Sequence, residues 1–225
     1  MLHTRLCDVL GVESPILVMP LPSLYNVTPE LAAAISEAGG FGVCEVNGNP
    51  SQVRQAIQQI RALTQKPFGM GFSLGLYQDA HIAVCIEEKV SAIAFILSDP
   101  SPSVEMIHAA GIKVIFFAKS VEDAVDHAYQ GVDVLVVPVQ FMLRVFYAVS
   151  LFPVAAICEL ADVRSVVAAL VLGAKGVALD QHALGSSPEA TVHELLEDVS
   201  TIIQQGLNVF LPEPGPDSPP VRRGE

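Results

Sequence analysis

The chain has 225 residues, 51% of them hydrophobic and only 16% charged, with a formal net charge of −12. That length suits one large domain or two small ones, and the apolar content excludes disorder over most of the chain. The acidity argues against nucleic acid or an anionic membrane surface as a partner, because both need a basic patch.

No apolar run reaches the length of a membrane span. The start, Met1–Pro15, lacks the basic end and long apolar stretch of a secretory signal. Cys7, Cys44, Cys85 and Cys158 form no C-x-x-C pair, so neither a disulfide framework nor a zinc knuckle is expected. These features together predict a cytoplasmic protein.

In chain order, residues 1–14 read as a short helix and a turn. Ile16–Leu21 is the first strand. Thr28 caps the next helix and Pro29 opens it, and Gly39-Gly40 stops it. Phe41–Val46 is a strand, Gln52–Leu63 a helix, Pro67–Leu74 a strand and Asp79–Lys89 a helix. Ala92–Leu97, Lys113–Ala118 and Val134–Val139 are further strands, separated by helices over Pro102–Ala110 and Val121–Gln130. Phe141–Ser150 is a short apolar helix. Pro153–Cys158, Asp162–Leu172 and Val177–Leu179 form a strand–helix–strand unit, and Pro188–Gln205 is a last helix.

Eight apolar strands, each followed by a helix, predict a parallel sheet covered on its outer face, closed as a compact (β/α)8 TIM barrel. An open doubly wound sheet is the alternative. Residues 1–210 are expected to form one barrel domain. The Pro/Gly-rich tail, residues 211–225, is expected to be disordered.

Several stretches in this order resemble the nitronate monooxygenase (2-nitropropane dioxygenase) family. They are Pro15-Ile16, Thr28–Gly42, Ile60–Gly69, His108–Ile115, Gly131–Val137, Pro153–Ala156 and Ala168–Val177. The resemblance implies a barrel oxidoreductase with FMN across its mouth, the phosphate held by backbone N–H groups after strands 7 and 8. It also implies a histidine in the loop after strand 6 that deprotonates or orients a nitroalkane.

At these places the sequence departs from the family. After strand 6, Val137-Pro138-Val139-Gln140 runs straight into Phe141, without the glycine-rich loop and its histidine. After strand 7, Ile157-Cys158-Glu159 stands where the family has two glycines and an isoleucine. Side chains there obstruct the close approach that glycine allows, and Glu159 adds negative charge. After strand 8, Asp180 stands where a glycine is expected. Gly71 stands where the family carries an asparagine that contacts the flavin. A flavin-free barrel acting as a binding or scaffold protein is therefore the alternative to an FMN enzyme.

The mouth is expected to present Leu21, Glu45, Ser73, Ser98, Asp99, Lys119, Gln140, Cys158, Glu159, Asp180, Gln181 and His182. By position, Met19, Gly71, Glu159, Asp180 and Gln181 are the flavin-contact candidates. Cys158, His182 and Lys119 are the catalytic candidates. A Cys158–His182–Glu159 grouping would suit a base-activated thiol, and the plainer reading of Cys158 is a small core residue. Glu159, Asp180 and His182 lack the paired spacing of metal ligands on one helix, so no metal is expected. Lys119 either receives a substrate anion or neutralises the acidic rim.

His81, His108, His127 and His193 read as solvated helix residues. Phe141–Phe152 has one charge, Arg144, and lacks the polar face of an outer barrel helix. It is the expected surface for a second copy of the chain or a partner protein. A small molecule at the barrel mouth is the other expected partner.

Overall fold

The computed structural model describes residues 3–21, 27–73, 77–101, 103–149, 151–159, 161–179, 181, 183, 184 and 194. Eight parallel strands close on themselves in sequence order. They are β1 Ile16–Val18, β2 Phe41–Glu45, β3 Phe68–Ser73, β4 Ala92–Ile96, β5 Lys113–Phe117, β6 Val134–Pro138, β7 Val154–Ile157 and β8 Gly176–Leu179. β1 pairs with β8 through Ile16–Val177 to Val18–Leu179, which completes the barrel. The open-sheet alternative is thereby excluded.

The helices are α1 Arg5–Leu10, α2 Pro29–Glu37, α3 Pro50–Leu63, α4 Asp79–Glu87, α5 Val104–Ala109, α6 Val121–Tyr129, α7 Met142–Ala148 and α8 Val163–Val171. A 3₁₀ turn, Val139–Phe141, joins β6 directly to α7, so the β6 exit has no loop. The expected helix over residues 188–205 and the tail lie outside the described residues.

Local chemistry explains the helix starts. The Thr28 hydroxyl accepts the Leu31 N–H at 3.3 Å, and Pro29 needs no donor at the first helical position. Asn49 and Gln52 form a reciprocal capping box at α3: Asn49 accepts the Gln52 N–H at 3.1 Å and Gln52 accepts the Asn49 N–H at 2.9 Å. Ser120 caps α6 and Asp162 caps α8 in the same way.

The period of two along each strand splits the core into two layers. Outward residues such as Phe68, Met70, Phe95 and Phe116 pack under the helices. Inward residues such as Leu17, Met19, Phe41, Val43, Ile96, Ile115, Val136 and Ala155 fill the barrel. Leu6, Cys7 and Leu10 of α1 join this inner cluster and close the end where the strands begin. The fit is close at Gly176, where an added Cβ would lie 2.3 Å from Leu6 Cδ2 and 2.5 Å from the Pro15 carbonyl oxygen. The N-terminus is tied to the far end of the chain: the Thr4 hydroxyl donates to the Lys175 carbonyl, and Arg5 donates to the Leu151 carbonyl at 2.6 Å.

Among the described residues, no helix is long and apolar enough to cross a membrane.

Candidate functional site

With one end stoppered by α1, the strand C-termini form the accessible mouth, the end at which barrels of this kind bind ligands. The Glu45 carboxylate, at the end of β2, is buried and accepts the Ser73 hydroxyl from the end of β3. Beside that pair is a cleft of about 260 Å³ lined by Asn47, Gly48, Phe72, Ser73, Tyr77 and His81.

His81 is 4% exposed, not solvated as its helical position predicts. Its Nδ1 accepts the Gln78 N–H at 2.8 Å, which leaves Nε2–H to donate to the Gly48 carbonyl, also at 2.8 Å. The ring pins the β2 exit to the start of α4, so its two nitrogens serve structure.

A second cleft, about 200 Å³, lies between the exits of β4 and β5. Lys119, Asp99, Asp123 and His127 supply its polar wall, and Leu97, Phe116 and Phe117 its apolar one. The Tyr77 hydroxyl donates to the Asp99 carbonyl at 2.9 Å and so links the rims of the two clefts. Burial, with Asp99 and Asp79 nearby, pushes the Tyr77 phenol above its ordinary range.

His127 also departs from expectation: its side chain is only 12% exposed and its ring stacks on Phe116 at 3.7 Å. His108 keeps a partly exposed side chain and meets Asp133 at 2.8 Å. His193 lies outside the described residues.

At the β7 exit, Ile157 packs against the barrel interior. Parity then turns Cys158 the other way, into the layer beneath α8, with its thiol 3.7 Å from the Ser165 carbonyl. Burial, with Asp162 nearby, pushes that thiol up to about 11, so it stays protonated at neutral pH. The Cys158 N–H donates to the Ala178 carbonyl at 3.1 Å. Glu159 is exposed, and Gln181 is half-buried. Asp180 and His182 lie outside the described residues, so a grouping of His182 with Cys158 and Glu159 rests on sequence alone. Among the described residues, no cluster of His, Cys, Asp or Glu has the makings of a metal site.

Met19 is buried in the barrel interior. Gly71 faces the same interior, and an added Cβ would meet Pro20 at 3.1 Å, Val43 at 3.3 Å and Ile96 at 3.4 Å. Lys119 is exposed at the rim of the second cleft, and its backbone N–H is held by the Asp123 carboxylate at 2.9 Å.

The Glu45–Ser73 pair and the Asp99–His127–Asp123 cluster were not legible as units. Only the four-residue spacing of Asp123 and His127 on one helix hinted at the latter.

A closed eight-stranded barrel with its polar groups gathered at the strand C-termini is the architecture of the (β/α)8 enzymes. Nitronate monooxygenase is the family that matches, over residues 3–76. An indene-carboxyl-CoA dehydrogenase from Rhodococcus jostii is 29% identical over 87% of this chain and 60% of its own length. A probable nitronate monooxygenase from Staphylococcus aureus is 25% identical over 86% of this chain and 71% of its own. The structure of FabK from Thermotoga maritima superposes with a TM-score of 0.75 at 32% identity, over 82% of this chain and 63% of that one. Nitroalkane oxidase from Streptomyces ansochromogenes, at 20% identity and a TM-score of 0.70, shares the fold.

The chain is a relative of the nitronate monooxygenase family, and a shortened one: it spans 60% of the Rhodococcus dehydrogenase and 63% of FabK. The departures after β6, β7 and β8 all lie beyond the stretch that the family matches.

Proposed function

We propose that this chain is a barrel of flavin-dependent oxidoreductase ancestry that binds a small ligand at its mouth without flavin. The β7 exit carries the reading. An FMN phosphate needs free N–H donors and close backbone approach. Here Ile157 fills the inner side, the Cys158 N–H is engaged by Ala178, and Glu159 adds an exposed negative charge. The Asp162 carboxylate already accepts the Ser165 N–H at 2.8 Å in the first turn of α8. These residues do not fit the phosphate of FMN. The two clefts, about 260 and 200 Å³, are also below the usual volume of a drug-sized site.

The second reading is an FMN-dependent, nitronate-monooxygenase-like oxidoreductase. The extent of the likeness to FabK, 32% identity over 82% of the chain, favours it.

Absorption of the purified protein near the flavin bands, followed by FMN titration, separates the two. A colourless protein that takes up no FMN at about 100 µM is expected, an affinity weaker than roughly −5.5 kcal/mol. Micromolar FMN binding with nitronate-dependent oxygen uptake would overturn the flavin-free reading.

A further inference from the structure

The second cleft contains a buried atom whose bonding is incomplete. His127 Nδ1 lies 2.9 Å from the Asp123 backbone carbonyl, i to i+4 on α6. A carbonyl only accepts, so Nδ1 carries the hydrogen. In the neutral ring Nε2 is then a bare lone pair. That atom is buried and has no hydrogen-bond partner. The group facing it is the Asp99 carboxylate, 3.6 Å away, on the loop that leaves β4. Lone pair faces anion, and a buried acceptor goes unsatisfied; both are unfavourable.

Protonation reverses this arrangement. An imidazolium donates from both nitrogens. Nε2–H then points at Asp99, while Nδ1–H stays with α6, where the Asp123 carboxylate lies 3.3 Å away. A closure of about half an ångström brings Nε2 and Asp99 to ordinary charge-assisted distance. The charged groups around the ring are Asp99 from the β4 exit, Asp123 from its own helix and Lys119 from the β5 exit. The Phe116 ring beneath is apolar and holds the imidazole plane in place.

The loop itself is poised to move. Leu97, its first residue, sits at φ +55°, a left-handed conformation that non-glycine residues rarely adopt. The Asp99 carboxylate is otherwise held by its own neighbour, Ser101, through that residue's N–H at 2.9 Å and its hydroxyl at 2.5 Å. The Tyr77 hydroxyl bonds the Asp99 carbonyl, which leaves the carboxylate arm free to swing.

We infer that His127 is a proton-operated clasp: as imidazolium it ties Asp99 of the β4 exit to α6 and closes the cleft between β4 and β5, and as neutral imidazole it lets that loop go. Histidine changes charge within the physiological range, so access to this cleft depends on pH. The lowered pKa of Asp99, due first to Ser101 and then to His127, keeps the carboxylate charged throughout. The clasp operates whether or not flavin binds, so its test and the FMN titration fail independently.

Amide hydrogen exchange at Ser98, Asp99 and Ser101, corrected for the intrinsic pH dependence, is measured at about pH 5.5 and about pH 8. Protection is expected to fall about tenfold with rising pH in the unmodified chain. His127→Phe keeps an aromatic ring on Phe116, and Asp99→Asn alters an exposed side chain. Both variants are expected to show low, pH-independent protection at these amides. Equal protection at both pH values in the unmodified chain, or an undiminished pH response in Asp99→Asn, would overturn the clasp.

Discussion

Gly71 sits where a side chain has no room. Restoring an asparagine there drives a Cβ into Pro20, Val43 and Ile96 at 3.1–3.4 Å. Gly71→Asn is expected to destabilise the barrel by about 1–3 kcal/mol, read as a lowered denaturation midpoint, without creating flavin affinity. The thiols make a second residue-scale case. Cys7, Cys44, Cys85 and Cys158 are free and buried. Burial pushes Cys44 and Cys85 up to about 12, with Glu30 and Glu45 adding to the effect at Cys44. An acid whose folded pKa is raised supports the fold fully below its unfolded value. That support is lost as pH rises towards the folded value. Stability is therefore expected to fall between about pH 9 and about pH 11, by about 1.4 kcal/mol per pH unit for each such thiol. Urea melts at a series of alkaline pH values would check this, with a flat response counting against it. In the native protein at pH 8, a disulfide reagent should react slowly with every thiol. Cys158 also shows what the sequence made legible. Ala155 and Ile157 point inward, so the same period of two sends Cys158 outward, and strand parity alone was enough to remove it from the mouth. His127 gave no such sign, because its burial depends on Phe116, a residue of the neighbouring strand.

At the scale of elements, the helix starts were readable because capping is local. Thr28-Pro29 and Asn49-Pro50 carry their own hydrogen-bond partners within three residues. Asn49→Ala removes one side of the α3 capping box and is expected to cost about 1 kcal/mol, measurable by thermal or urea melts. Strand exits were less legible, since their geometry depends on neighbouring strands. β1 ends at Val18, short of the Leu21 expected from its apolar run, because Met19–Leu21 turns across the mouth. The stretch around α7 needs its own explanation. Leu143, Tyr147 and Leu151 recur every four residues and are 49%, 77% and 76% exposed. A large exposed apolar stripe on a soluble chain is a contact surface by default. Sedimentation is expected to show self-association that Leu143→Glu with Tyr147→Glu abolishes. A monomer before and after the change would remove a second copy as the occupant.

For the whole molecule, eight continuous apolar strands at regular spacing made the barrel legible, and the closed order β1 to β8 confirms it. Relatedness to the nitronate monooxygenase family was readable from the same stretches, as the match over residues 3–76 shows. The mouth was less legible, because its side chains meet across strands far apart in sequence. The α1 stopper has a consequence for how the chain is made. Its anchor, Thr4 to the Lys175 carbonyl, spans 171 positions, and Arg5 to Leu151 spans 146. Nearly the whole polypeptide must leave the ribosome before its first helix can be seated. Contacts of such long range are slow to form. Until then Leu6, Cys7 and Leu10 remain exposed on the nascent chain, where a chaperone or a premature partner can reach them.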